Sequence, residues 1–516
     1  MLVACRPPRP VAALDQRSAF LIAYGDHVQR SGESPLVTLG GFVEQRLAPQ
    51  VTGVHTLPIH PITSDGGFAV VDHSVVDPAL GSWDDVSALA CTTRWMADAV
   101  VNHVSASSPW LAGYLAGDPA FAGFFRPLPD AADVSAVVRP RTSPLGHEFR
   151  RDDGSAVRLW TTFSADQVDL DLASPEVFLA LTDVVLRFVA EGAAAIRLDA
   201  VAFAWKDPAR SSMSLPETHD VVACWRACLD EVAPGCVLVT ETNVPHDENV
   251  TYFGTPERPE AHAVYQFPLP PLVLHTMLTG DSTALVGWLR ALDPPPQGCA
   301  YLAVLSTHDG IGLRGSEGVL DDAQRAALAA ATEACGGQVN RRATPAGPVA
   351  YELCTTWYSI LAHGHDHDAA MARHVASHAI ALAVQGVPLL YFGAVMAATN
   401  DHDRRAATGH GRDLNRTRFD AEALGADLDD PASRAALSWT ALRGLLERRA
   451  SCPAFAPQAH QVVHPVSPDV VVIERIAPTG ERAAVCVNVT PAAVTVEVPA
   501  WGTVRLSPWG VNIQIR

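Results

Sequence analysis

The sequence predicts an α/β protein: a (β/α)8 TIM barrel with a segment inserted after its third strand and a small antiparallel β-domain at the C-terminal end. Three observations carry this prediction. Eight apolar runs of strand length recur in order (AFLIAY, VTGVHTL, WMADAVV, AAAIRL, CVLVTE, AVYQF, AYLAVLS and VPLLYF), the number a closed parallel barrel takes. The runs are nearly continuous Val, Ile, Leu and Ala, which suits parallel strands covered on both faces, and the segments between them carry helical periodicity. From about Ala454 the texture changes to alternating runs such as VVVIERI, AAVCVNV and VTVEVPA, an antiparallel pattern.

Taken along the chain, the first part of the barrel occupies 1–103. An excursion of about sixty residues, Val104 to Ala165, follows the third strand; rich in Pro, Gly and Arg, it is too long for a crossover loop and reads as an inserted subdomain over the active-site face. The barrel resumes over 166–453. One of its crossovers shows the helical signals well: Ser174 as cap, Pro175 in the first turn, apolar Val177, Phe178, Leu181, Val184, Val185 and Phe188, then Gly192 as the stop. A second excursion, about 313–358, contains GGQVNRRATPAGPVAYE, a flexible-looking stretch suited to an active-site loop. The β-domain fills 454–516. No fixed-period repeat or low-complexity tract interrupts this order.

Composition bounds the function. A chain of 516 residues with 48% hydrophobic content can bury one large core plus a smaller domain. Its formal charge of −19 argues against nucleic acid or an anionic membrane as partner, and requires local positive charge for any anionic substrate. No run reaches the length of a transmembrane helix, and MLVACRPPRPVAALDQ lacks the form of a secretory signal, so a cytoplasmic location is the default expectation. The ten cysteines are scattered singly, without metal-ligand spacing, and read as reduced, buried thiols; Cys224 and Cys228, one helical turn apart, read as packing residues. HGHDHD at 363 to 368 alternates three histidines with two aspartates, but just ahead of a helix it reads as cap and loop chemistry. No nucleotide fingerprint is present, and no cofactor or metal is expected. The oligomeric state is left open.

Chemistry gathers in three strings. IRLDAVAF at 196 to 203, VTETNVPH at 239 to 246 and LSTHDGIG at 305 to 312 each place a carboxylate just past an apolar run, so Asp199, Glu241 and Asp309 converge at the carboxyl ends of barrel strands. Three such carboxylates suit a retaining glycoside mechanism with a nucleophile, a proton carrier and a transition-state stabiliser. Arg197, two positions before Asp199 on a strand, shares its face and can hold that carboxylate ionised.

With VTGVHTLPIHPITSDGGFAVVDHSVVDPALGSWDD, DAVVNHVS, RPRTSP, IRLDAVAFAWK, FPLPPLVLH, THDGIG and GRDLNR in this order, nearly the whole chain after Ala19 resembles glycoside hydrolase family thirteen, the α-amylase clan, in its sucrose phosphorylase branch. The resemblance implies the same barrel, with a domain B after strand three. It implies Asp199 as nucleophile, Glu241 as acid and base, and Asp309 as stabiliser. His103 and His308 resemble the family's hydroxyl-binding histidines. Asp65 and Arg412 resemble the pair that closes a one-glucose pocket, with Phe68 as the sugar platform. Arg141, beside Arg139, matches the arginine used toward phosphate, and Tyr351 is a further candidate for that subsite. The implied substrates are a small α-glucoside and inorganic phosphate, with α-glucose 1-phosphate as product.

The acceptor side departs from the sucrose enzymes. PVAYEL puts Val349 and Glu352 where they carry an aspartate and a glutamine, and Phe203 stands in place of a tyrosine. ETNVPHDENVTYFG resembles relatives acting on glucosylglycerate, sucrose 6-phosphate or glucosylglycerol, and glycerate is the preferred acceptor. Sucrose, sucrose 6-phosphate or glucosylglycerol phosphorolysis, or hydrolysis and transglucosylation on the same scaffold, are the alternatives. A catalytically dead scaffold is disfavoured by the presence of all three carboxylates.

Overall fold

The computed structural model describes residues 13–141, 143–342 and 347–516. Eight parallel strands close into a barrel: β1 Phe20–Ala23, β2 Gly53–Thr56, β3 Arg94–Val100, β4 Ala195–Asp199, β5 Val237–Thr240, β6 Ala263–Tyr265, β7 Ala300–Val304 and β8 Val387–Tyr391. Each pairs with its neighbours in chain order, and β8 returns to β1. All eight predicted apolar runs fall on these strands. In all eight, every residue but at most one is buried, the consequence of helices outside and side chains packed within.

The crossover helix Pro175–Ala190 buries Val177, Leu181, Val184, Val185 and Phe188, and Gly192 beyond it has φ +99°, a conformation that favours glycine. Ser174 occupies the cap position, yet its hydroxyl donates to Glu176 at 2.7 Å and caps no backbone amide. Phe178, read as a core position, stacks on Trp225 with centroids 5.7 Å apart.

His103–Ser105 pairs antiparallel with Gln167–Asp169, so the inserted segment leaves and rejoins the barrel through one two-stranded neck; a second hairpin, Gly146–Arg150 with Ala156–Trp160, lies within it. In the second excursion the stretch read as a flexible loop is a sheet instead: Val349–Cys354 lies between Ile311–Gly312 and Gln338–Arg342. Residues 343–346 of that stretch, Thr142 of RPRTSP and residues 1–12 lie outside the described residues.

At the C-terminal end, four antiparallel strands run in the order His460–Val463, Val470–Ile476, Arg482–Asn488, Val511–Ile515. Their alternation splits the core: Val471, Ile473, Val485 and Val487 join the barrel cluster, while Val470, Val472, Ala484 and Cys486 pack on the hairpin around Trp501. Asp366 of HGHDHD caps the helix His367–Ala383 by accepting the Ala369 amide at 2.8 Å. Cys224 is exposed and Cys228 partly so, because the helix Pro216–Val232 turns Val221, Val222, Trp225 and Leu229 inward; the packing reading fails for this pair. Among the described residues no helix is long and apolar enough to cross a membrane.

Candidate active site

β4 ends on Asp199, β5 one residue before Glu241, and β7 five before Asp309, so all three carboxylates line one cavity at the carboxyl ends of the strands. Its volume is about 110 Å³. That is small beside the several hundred Å³ of ordinary ligand clefts, in keeping with a small substrate.

Arg197 organises the inner end. It is the register partner of Asp98 on β3, and its Nη1 donates to Asp98 at 2.8 Å and to Asp199 at 2.9 Å. His55 on β2 completes the chain, its Nε2 3.0 Å from Asp98 Oδ2. Burial raises the Asp98 carboxyl, but Arg197 and His55 together outweigh it and hold the group below its ordinary range. Burial pushes both Asp199 and Glu241 upward, and the surrounding carboxylates add to it against the opposing pull of Arg197. Local backbone serves the same pair. Ala200, immediately after Asp199, is left-handed at φ 49°, and from there its amide donates to Glu241 Oε2 at 3.1 Å.

Asp98 and His55 escaped the sequence reading, although Asp98 lies inside the quoted DAVVNHVS. The available signal was a carboxylate within an apolar strand, which needs a buried cation. Asp98→Ala would leave Arg197 short of a buried partner, an expected loss of about 3–5 kcal/mol. Differential scanning calorimetry should show a lower melting temperature, with Asp98→Asn between that variant and the parent; an unchanged melting temperature in Asp98→Ala would count against Asp98 as the partner that holds Arg197.

Arg412 closes the opposite wall. Its Nη1 lies 2.7 Å from Asp309 and 3.2 Å from Asp65, and its Nη2 2.8 Å from Glu352. Arg416, one turn on and also missed from sequence, approaches Asp309 at 3.7 Å and Asp65 at 3.9 Å while its Nε holds the His308 carbonyl at 2.9 Å. Burial raises the Asp65 carboxyl, but Arg412, Arg416 and Arg141 bring it net below its usual value. Glu352, expected on the acceptor side, is thus a buried partner of Arg412; as an anion it does not suit a phosphate cradle.

The two histidines are neutral because burial lowers both. His103 Nε2 donates to the Phe68 carbonyl at 2.7 Å, and its Nδ1 accepts the Asn102 amide at 3.1 Å. Asn102 is itself fixed by buried Lys206, whose Nζ is 3.1 Å from Asp169. His308 stacks on Phe68, centroids 4.7 Å apart, and both line the cavity.

On the outer side stand Phe203, Tyr351 and Arg141. Phe203 meets Phe163 edge-on at 5.4 Å, and the Arg141 guanidinium lies 6.0 Å above the Phe163 ring. Arg141 makes no ion pair among the described residues. Arg139 is a correction to the expected phosphate pair: it is exposed, bonds the Ser143 carbonyl, and does not line the cavity. Adjacent on a loop, two arginines point differently, and only one reaches the site.

A closed parallel barrel whose acidic residues converge at the carboxyl ends of its strands, around one small cavity, defines an enzyme of the glycoside-processing barrel class. The family model for the α-amylase catalytic domain matches residues 48–284. A glucosylglycerate phosphorylase from Allomeiothermus silvanus is 44% identical over 92% of this chain and 85% of its own length, and one from Escherichia coli 38% over 89% and 83%. A sucrose phosphorylase from Agrobacterium vitis is 34% identical over 85% of this chain and 89% of its own. In fold, the chain superimposes on the crystal structure of a sucrose 6F-phosphate phosphorylase from Thermoanaerobacter thermosaccharolyticum with a TM-score of 0.80 at 23% identity, covering 96% of this chain and 99% of that one. The chain belongs to the α-amylase family, glycoside hydrolase family thirteen, in its sucrose phosphorylase branch.

Proposed function

We propose that the protein is a retaining α-glucoside phosphorylase, reversibly transferring a glucosyl unit from glucosylglycerate to phosphate and giving α-glucose 1-phosphate and glycerate. The observation that carries the reading is the division of arginines around one small cavity. Arg197, Arg412 and Arg416 are paired with carboxylates on its inner walls, whereas Arg141 lines the outer side and makes no ion pair among the described residues. An anion can be met there despite the acidic surface, through a guanidinium that offers two parallel hydrogen bonds to phosphate oxygens. The identity to glucosylglycerate phosphorylases over most of the chain supports glycerate as leaving group.

In this reading Asp199 attacks the anomeric carbon and forms a β-glucosyl enzyme as the bond to the glycerate oxygen breaks. Glu241 gives that oxygen its proton. Phosphate then attacks the same carbon, releasing Asp199 and returning a proton to Glu241; two inversions leave the α configuration. Of the two raised carboxyls, Glu241 is the one to carry the proton at rest. Asp199 receives a direct bond from Arg197 at 2.9 Å, while Glu241 stands 3.8 Å from that guanidinium. Asp309, Asp65 and Arg412 bond the sugar hydroxyls, Asp309 most strongly as the ring flattens. The exposed thiol of Cys224 fits a reducing, cytoplasmic setting.

An acceptor screen with α-glucose 1-phosphate as donor tests the reading: glycerate should release phosphate fastest, and proton NMR of the reverse reaction should show the α anomer. Release of the β anomer, or of glucose alone in abundant phosphate, would overturn it. Arg141→Ala should raise the Michaelis constant for phosphate on the order of tenfold to a hundredfold and increase the share of glucosyl enzyme lost to water. Arg141→Lys should recover part of the loss, because the charge stays and the fork is gone. An unchanged ratio of glucose 1-phosphate to glucose in Arg141→Ala would return Arg141 to a solvated loop charge.

A further inference from the structure

Arg314 is a second guanidinium that lines the cavity without a carboxylate. It opens the single turn Arg314–Ser316, five residues beyond Asp309. Among the described residues its side chain has one polar contact, from Nη1 to the Met213 sulfur at 3.4 Å. A thioether is a weak acceptor and neutralises no cation, so the fork remains available to an anion in the cavity. The turn that carries it is fixed, because a Cβ at Gly315 would come within 2.6 Å of the Phe267 backbone.

Met213 is held against Arg314 by an unusual backbone. Ser212 and Ser214 flank it, both left-handed at φ 48°. Two bonds lock Ser212: its hydroxyl accepts the Asp207 amide at 2.8 Å and donates to the Asp207 carbonyl at 2.7 Å. Ser214 donates its amide to Ala202 at 2.8 Å and accepts the Tyr252 hydroxyl at 3.1 Å. Met213 packs with Ala202, Val244 and Phe203, and the Ser211 carbonyl accepts the Val138 amide at 2.9 Å, three residues before Arg141. One rim of the cavity therefore runs from Arg141 over Phe163 and Phe203 to Met213 and Arg314. It carries two guanidiniums that make no ion pair with a carboxylate among the described residues.

We propose that Arg314 binds the carboxylate of the glycerate acceptor and so sets the preference for an acid over a neutral polyol, Arg141 being the phosphate ligand. The inference rests on the proposed phosphorolysis of glucosylglycerate. Glycerate is a monoanion at neutral pH, with a planar carboxylate that matches the guanidinium fork. Glycerol is the same skeleton without that charge; bound in its place, it would leave the fork unpaired in a partly dry site, and such a site discriminates strongly against the analogue that lacks the group.

The test compares initial rates of synthesis from α-glucose 1-phosphate with glycerate and with glycerol, for the parent enzyme, Arg314→Ala and Arg314→Lys, together with the Michaelis constant for phosphate in phosphorolysis. In Arg314→Ala the ratio of kcat/KM for glycerate over glycerol should fall on the order of tenfold to a hundredfold, and in Arg314→Lys by less. The Michaelis constant for phosphate should move by a smaller factor than that for glycerate. An unchanged glycerate to glycerol ratio, or phosphate and glycerate weakened by equal factors, would remove the assignment. A parent enzyme that ignores glycerate takes down the proposed acceptor and this inference together, whereas a parent selective for glycerate whose selectivity survives Arg314→Ala overturns the inference alone.

Discussion

Asp199→Asn is expected to abolish phosphorolysis and synthesis alike, by about 10⁴-fold or more, because neither direction can avoid the covalent glucosyl enzyme. The substitution is nearly isosteric, and the carboxamide oxygen can still accept from Arg197, so the barrel should remain folded. Rates of glucose 1-phosphate formation and of phosphate release, measured with matched circular dichroism, check this. Retention of activity within tenfold of the parent in a folded variant would remove Asp199 from the nucleophile position.

The second large effect belongs to Glu241. Glu241→Gln should lower turnover of glucosylglycerate by about 10²–10⁴-fold, yet leave glucosylation by α-glucosyl fluoride far less affected, since fluoride departs without a proton. The pH profile gives an independent reading. Burial and the neighbouring Asp309 raise the Glu241 carboxyl, so the acid form persists above the usual carboxylate range. Raising the pH through that value removes the proton the leaving oxygen needs, and the rate falls on the alkaline side. With the fluoride donor, whose departure needs no proton, that limb should already be weak in the parent and be absent in Glu241→Gln. Equal losses with both donors, or an unaltered alkaline limb, would count against Glu241 as the acid.

The barrel was legible because each strand is a short, nearly unbroken apolar run, and the catalytic candidates because a carboxylate directly after such a run is a local signal. Asp98 carried the same chemistry from inside a strand, where one polar letter among apolar ones announces no partner. Arg412 and Asp65 are 347 positions apart and meet only in the folded chain; similarity of strings, not spacing, brought them together beforehand. Arg139 and Arg141 show the converse limit. Two arginines separated by one proline share every compositional signal, and their different directions are set by loop backbone. Arg314 was passed over because its neighbours, LRGSEG, offer no pattern, and its meaning comes from what it does not pair with.

The short segment 411–416 stitches together loops that are otherwise independent. Arg412 and Arg416 reach Asp65 after β2, Asp309 after β7 and, through Arg412, Glu352 in the second excursion, and Asn415 adds bonds to the carbonyls of Thr307 and Asp309 at 2.6 and 3.1 Å. Altering any one of those acidic positions removes a partner from a buried cation that other loops share, so divergence on that wall favours several concerted steps. On the opposite rim the guanidiniums of Arg141 and Arg314 make no ion pair with a carboxylate among the described residues, so replacing either leaves no buried acid unpaired. Heritable change is cheapest there, which makes one half of the cavity an archive and the other half a workshop.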